Sequence, residues 1–258
     1  ISDGEDVLIP GIMEHVERTG VHSGDSITMY PTRTLSKDVL NTLKEYTERI
    51  VRSLEIKGLV NIQYVFDGDN VYVIEVNPRA SRTVPILSKV TGIPMVKLAV
   101  EIILGKKLKD LGYGIGINEE NKLCAVKIPV FSNEKLVDVD TYLGPEMKST
   151  GEVLGVGDNF EDAIYKGFCA ANYEIPKSGN IYVSLKDIDK EEGLQVVKKY
   201  IELGFNIIAS EGTGKFLKDN GIECNIESLS EITDNMVEDK IAFIIDSPTK
   251  GNNIGTLG

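Results

Sequence analysis

Residues 58–85 read GLVNIQYVFDGDNVYVIEVNPRASRTVP. Two apolar runs, 60–66 and 71–76, flank the turn-forming group Asp67, Gly68, Asp69 and Asn70, and this pattern predicts a β-hairpin. Side chains alternate between the faces of a strand, so Ile62, Tyr64 and Phe66 share one side and Asn61, Gln63 and Val65 the other. On the second strand Tyr72, Ile74 and Val76 form an apolar face, while Val71, Val73, Glu75 and Asn77 form one that turns polar toward its end. A loop of odd length would set Gln63 opposite Glu75, with Asn77 following on the same face. One carboxylate with two amide oxygens suits a hard cation such as Mg²⁺, whose remaining ligands would be water or phosphate. Arg79 and Arg82 come next, and planar cationic forks suit phosphate or carboxylate-like oxyanions. Taken alone, Glu-x-Asn-x-Arg also reads as a surface hairpin whose Glu pairs with a nearby Arg.

Outward from the hairpin, residues 36–56 carry Val39, Leu40, Leu43, Tyr46, Ile50, Val51 and Leu54 at helical spacing. Ser36 is placed to cap this helix and Gly58 to close it, and its apolar side should pack on the hairpin. Upstream, 7–12 reads as a short strand broken by Pro10, and Gly20, Val21, His22, Ser23, Gly24, Asp25 and Ser26 have the composition of a loop that approaches a ligand. Taken alone, His22 reads as a loop histidine bonded to solvent rather than a ligand contact, and His15 is read as structural. Downstream, Pro94 starts a helix to Leu104, 106–121 is a connection, 124–131 a strand, and 159–172 a helix capped by Asp158 or Asn159.

Residues 176–179 are read as a domain boundary. Beyond it come a strand at 180–185, a helix at 190–203, a strand at 205–209, a helix at 215–220 and a strand at 241–246, the alternation of a parallel α/β sheet. Ser210-Glu211-Gly212-Thr213-Gly214 lies between strand and helix, where it is either an anion-holding turn or simply a tight one. No internal repeat is present.

The chain has 258 residues, 41% of them hydrophobic, and a net charge of -12. That is enough for real cores, in one large or two modest domains, and the charge argues against nonspecific binding of nucleic acid or an anionic membrane. Three widely spaced cysteines, Cys124, Cys169 and Cys224, form no Cys-x-x-Cys pair, so neither a zinc site nor a disulfide framework is expected, and reduced thiols in the cytoplasm are. No run is long and apolar enough to span a bilayer, and no signal-peptide pattern appears. The start at Ile1 and the patternless 251–258 suggest an excised piece of a longer chain.

Residues 61–85, with GIMEHVERTGVHSGDS at 11–26 and LGPEMKSTGEVLGVG at 143–157, resemble the carbamoyl phosphate synthetase large subunit. That family carries two ATP-grasp halves in tandem, and RASRTVP looks like the second, carbamate-phosphorylating half. The resemblance implies an α/β protein: an α+β ATP-grasp portion over 1–175, then over 176–258 a Rossmann-like parallel domain similar to methylglyoxal synthase. It implies ATP-dependent phosphorylation of carbamate to carbamoyl phosphate, for arginine and pyrimidine biosynthesis, with Mg²⁺ or Mn²⁺ and K⁺ as a further ion. By the same likeness Gln63, Glu75 and Asn77 would hold metal, Gly20, Val21, His22, Ser23, Gln63 and Glu75 would contact the nucleotide, and Arg79 and Arg82 would steady the carbamate or the transferring phosphoryl group. A glutaminase small subunit would be the partner.

The second domain would receive nucleotide monophosphate effectors at Lys190, Ser210 and Thr213, with Ser210 where the family usually has Thr. Glu17 and Asp25 match acidic residues of the family's ornithine site. Ala125 stands in place of a third carboxylate there, and Asp246-Ser247-Pro248 replaces an Asn-Thr-Thr-like turn. A missing carboxylate weakens an ammonium site, and an added one disfavours an anion. Because the subdomains that precede this segment in the family lie before Ile1, the segment is expected to be inactive alone. Two other readings stay open: another ATP-grasp ligase, such as a carboxylase or purine-pathway enzyme, and a regulatory or assembly module.

Overall fold

The computed structural model describes residues 1–119, 123–132, 142–228, 231–232 and 241–247. They divide into two compact units, Ile1–Tyr173 and Glu174–Leu257. In the first unit the elements run β1 (Ser2–Asp3), β2 (Leu8–Ile9), β3 (Glu14–His15), β4 (Thr28–Tyr30), α1 (Lys37–Ser53), β5 (Lys57–Gly58), β6 (Asn61–Phe66) and β7 (Val71–Asn77). They continue with α2 (Thr83–Thr91), α3 (Met95–Ile103), β8 (Gly116–Ile117), β9 (Cys124–Val130), β10 (Gly151–Gly157) and α4 (Phe160–Ala170).

Ser36 caps α1 as its sequence position predicts: it is extended, and its hydroxyl accepts from the Val39 amide. Gly58 does not close the helix. The left-handed residue after its end is Glu55 (φ 50°), and Gly58 lies in β5, paired with Ser2 of β1.

The hairpin β6–β7 forms, but its register is set differently from the expectation. Asp67 accepts from the Asp69 and Asn70 amides, and Gly68 sits at φ 106°, so the turn closes with Phe66 opposite Val71 around residues 67–70, an even loop. A bulge then leaves Ile74 unpaired, and beyond it Gln63 faces Glu75, Ile62 faces Val76 and Asn61 faces Asn77. The same bulge breaks the simple alternation, and Tyr72, Val73 and Ile74 all lie exposed.

Pro94 precedes α3 as predicted, but a further helix, α2, fills 83–91 immediately after the hairpin. Pro85 occupies its first turn, where the missing amide costs nothing. The stretch 106–121 likewise holds a short 3₁₀ turn and β8, which pairs with β2.

A four-stranded antiparallel sheet of order β10-β9-β4-β3 underlies the site. Alternation sorts β9 cleanly. Val126 and Ile128 pack with Met29, Val153 and Ala163 of α4, whereas Ala125 faces the main core with Tyr30, Leu154 and Val156. Lys127 belongs to this second face. β10 was not legible in the sequence because Gly151, Gly155 and Gly157 weaken a strand pattern. Gly155 is there for contact: a Cβ on it would run into the Ala163 carbonyl and stand 2.6 Å from the Gly167 amide nitrogen.

In the second unit β11 (Asn180–Ser184), α5 (Lys190–Glu202), β12 (Asn206–Ala209), α6 (Glu211–Asp219), β13 (Asn225–Ile226) and β14 (Ile241–Asp246) build a parallel sheet of order β13-β12-β11-β14. Ile181, Val183, Val197, Ala209 and Leu217 fill its core. α6 begins at Glu211, so the glycine-rich segment read as a turn is the helix's first turn. Gly214 is required there, since a Cβ would stand 2.6 Å from the Ile226 side chain.

Gly155→Ala is expected to destabilise the first unit by about 1–3 kcal/mol or more, because backbone rather than a side chain would have to move. The check is the urea unfolding midpoint, and a midpoint equal to the parent's would show that α4 does not press on β10.

Candidate functional site

The first unit contains a cleft of about 650 Å³. The loop residues Gly20, Val21, His22 and Ser23 line it, as do Gln63 and Glu75 of the hairpin and the following Arg79 and Arg82. Gln63 is the joint between loop and hairpin: its Nε2 donates to the Ser23 hydroxyl at 2.8 Å and to Glu75 Oε1 at 2.5 Å. A carboxylate cannot donate, so the amide turns its nitrogen to Glu75 and keeps its oxygen free of that bond. Asn77 lies two residues further along the same face, opposite Asn61, but does not line the cleft. Its Nδ2 is buried and without a hydrogen-bond partner.

The loop is held from beneath. Gly24 is buried, its amide donates to His22 Nδ1 at 3.0 Å, and its carbonyl accepts from Lys127 Nζ at 3.2 Å and from the Ser149 hydroxyl at 3.1 Å. Because Nδ1 accepts, the neutral His22 ring carries its proton on Nε2. Lys127 also donates to the Ser23 carbonyl at 3.0 Å. Both oxygens of buried Asp25 are spent on the Lys148 and Ser149 amides, each at 2.8 Å. Arg82 donates to the Ser149 hydroxyl at 2.8 Å and to its carbonyl at 3.2 Å, and its Nε lies 3.4 Å from Glu152. Arg79 is exposed, with one guanidinium bond, to the Ala80 carbonyl. The two arginines read together in the sequence therefore differ: one is built into a network, the other stands at the surface.

Charge is concentrated under the loop. Burial pushes the Lys127 ammonium below the ordinary lysine value, against the pull of Glu152, Glu17 and Asp25. Burial likewise raises the Glu152 carboxyl, against Arg82 and Lys127. Glu17 lines the cleft, and its Oε2 is buried without a hydrogen-bond partner. Lys127 and Glu152 were missed in the sequence; a single lysine amid the apolar CAVKIPV was the available signal, because lysine is almost never fully buried unpaired.

In the second unit Ser210 and Thr213 meet at the start of α6, their hydroxyls 3.1 Å apart. The Thr213 hydroxyl also accepts from the Leu185 amide at 2.8 Å. Lys190 pairs with Asp187 at 2.6 Å and lies above the Phe216 ring. Asp246 ends β14, paired with Ser184; Pro248 lies outside the described residues. No helix among the described residues is long and apolar enough to cross a membrane, and no group of three or more His, Cys, Asp and Glu side chains is placed to hold a metal.

Asp25 gives the site a pH dependence. Burial raises its carboxyl, but the hydrogen bonds from Ser149 and the Lys148 amide, with nearby His22, outweigh burial and leave it below the ordinary carboxylate value. A carboxyl held lower in the folded chain stabilises it fully above the unfolded value of about 4, and that contribution is lost as pH falls through the folded value. The stability advantage of the parent over Asp25→Asn is therefore expected at neutral pH and should vanish on acidification, as read from urea midpoints. An advantage independent of pH would contradict this.

The carbamoyl-phosphate synthase L chain, ATP binding domain family matches residues 1–111, and the MGS-like domain family matches 192–254. Over 100% of its length the chain is 64% identical to the carbamoyl phosphate synthase large chain of Clostridium acetobutylicum. Over 98% it is 53% identical to that of Clostridium botulinum, and over 100% it is 52% identical to that of a Thermoanaerobacter species. It spans 24% of the length of each of these relatives. The biotin carboxylase domain of a single-chain bacterial carboxylase aligns with 50% of this chain and 31% of its own, at 18% identity and a TM-score of 0.43. Identity of this order across the whole chain, with both domain families in series, means that the chain belongs to the carbamoyl phosphate synthase large chain family.

Proposed function

We propose that the cleft of the first unit is the metal- and phosphate-facing side of an ATP site, and that the protein carrying it phosphorylates carbamate to carbamoyl phosphate. The observation that carries this reading is the Ser23–Gln63–Glu75 chain of hydrogen bonds, which ties a small-residue loop to a carboxylate-bearing hairpin within one cleft that Arg79 and Arg82 also line.

The donor set fits a divalent cation. Glu75 offers a carboxylate, Gln63 keeps its amide oxygen, and Asn77 presents a buried amide whose nitrogen has no partner; since the amide ends exchange by a flip, that position also accommodates an oxygen ligand. One carboxylate and two amides leave room for phosphate oxygens and water, the usual habit of Mg²⁺ or Mn²⁺. When bound, such an ion neutralises phosphate charge. The chain's own residues do the remainder. Backbone and side chains at 20–23 hold the nucleotide, and the guanidinium groups of Arg79 and Arg82 hold the oxyanion of the acceptor or the phosphoryl group in transfer. This is positioning and charge stabilisation, the two demands of phosphoryl transfer.

The same reading gives the protein a glutaminase partner subunit and a cytoplasmic setting, which suits its free thiols Cys124, Cys169 and Cys224. It makes the second unit a module for a small anionic effector, where Asp187 and Asp246 moderate the attraction of Lys190. Ornithine binding at Glu17 and Asp25 has less support, because Asp25 already spends both oxygens on backbone amides.

The test is Mg·ATP binding and carbamoyl phosphate formation by the full gene product that contains these residues. Glu75→Ala should weaken Mg·ATP binding on the order of 100-fold, the upper end for a group at a metal centre. Arg79→Ala should lower turnover and leave the unfolding midpoint in place, whereas Arg82→Ala, which strips Ser149 and Glu152 of a partner, should lower both. ATP binding unaltered by Glu75→Ala would refute the assignment.

A further inference from the structure

Lys127 stands at the centre of the sheet under the cleft. The ladder sets it between Thr28 of β4 and Leu154 of β10, and Thr28 in turn faces His15 of β3. Its side chain is 1% exposed. Lys127 also lines the cleft, but an ammonium so little exposed is unfavourable unless its protons are used, and packing alone would be met by an apolar residue of the same length. Its bonds go neither to the strands around it nor to a single carboxylate. They go to two consecutive carbonyls, Ser23 at 3.0 Å and Gly24 at 3.2 Å.

Those carbonyls belong to the loop that lines the cleft. With the Ser23 carbonyl drawn down to Lys127, the Ser23 hydroxyl meets Gln63 Nε2 at 2.8 Å, and Gln63 meets Glu75 at 2.5 Å. A second anchor converges on the same peptide: Ser149 bonds the Gly24 carbonyl and is itself held by Arg82. Gly24 is packed closely by side chains, since a Cβ there would stand 2.8 Å from Met147 Sδ and 3.1 Å from His22 Nδ1. The loop is thus clamped at Ser23 and Gly24 while Gly20, at φ 112° with no atom near a Cβ, leaves its outer end open.

We propose that Lys127 is a positioning residue for the nucleotide site: by holding the Ser23 and Gly24 carbonyls it fixes the Ser23 hydroxyl that orients Gln63 against Glu75. The inference rests on reading the cleft as an ATP site. A point-like head with three donors on a flexible stem suits two carbonyls approached from below, where the planar fork of arginine would not. The carboxylates of Glu152, Glu17 and Asp25 keep the charge tolerable in the interior.

The experiment compares Lys127→Met, Lys127→Arg and Glu75→Ala in the full gene product, measuring KM for Mg·ATP and kcat separately. Lys127→Met keeps the length of the side chain and removes its donors, so KM should rise by about 10- to 100-fold with kcat changed much less, as for other groups one bond removed from a metal ligand. A parental KM in Lys127→Met, with KM raised in Glu75→Ala, overturns the inference and leaves the ATP site standing. Parental KM in both overturns the ATP reading and this inference with it. Where Lys127→Met does not fold, Lys127→Arg decides: it keeps the buried charge but sets a planar fork where the two carbonyls need a point-like head, and it leaves the loop's own side chains in place. A raised KM there supports the relay, and an unchanged one overturns it.

Discussion

The hydrogen bond from Gln63 to Glu75 is the constraint on which the first unit's chemistry depends. It joins neighbouring strands just where the bulge at Ile74 restores a register that the even turn at 67–70 would otherwise have denied. Without the bulge Glu75 would sit a residue away from Gln63 and, by the two-residue period of a strand, on the opposite face. The bulge is therefore what delivers a carboxylate to the cleft.

Around that contact the protein has placed charge in its interior, which is unfavourable unless each charge is compensated. Lys127, Asp25, Glu152 and Arg82 share the space beneath residues 23–26, and most of their bonds run to backbone atoms of the loop or of residues 148–149 rather than to one another. Such an arrangement adds little net stability over an apolar one, but it specifies where two backbone segments lie. Glu17 Oε2, Asn77 Nδ2 and Glu152 Oε2, buried in this same unit, have no hydrogen-bond partner among the described residues.

What the sequence revealed was local. The Asp-Gly turn, the Ser36 and Asn159 caps and the strand-helix alternation after residue 180 are written in neighbouring residues, and all are present. Features decided by tertiary contact were hidden. Pro85 concealed α2, and Gly155, Gly157 and Gly214 weakened the patterns of β10 and α6 although each is there because another element presses against it. The bulge left no mark, since Ile74 is as apolar as its neighbours. Of the candidate site, Gln63, Glu75 and Asn77 of the hairpin, the loop and both arginines could be named from residue type and family likeness, and the cleft gathers them except Asn77. The support beneath them, Lys127 and Glu152, could not be named, because a strand's charged residue reveals its role only when the opposing loop is in view.

The most direct test is a crystal structure of the full gene product with Mg²⁺ and a non-hydrolysable ATP analogue. The account predicts a metal ion about 2.0–2.1 Å from a Glu75 oxygen and the Gln63 amide oxygen, with nucleotide phosphates completing its shell and residues 20–23 against the nucleotide. Nucleotide and metal bound elsewhere, with neither Gln63 nor Glu75 touching them, would contradict it.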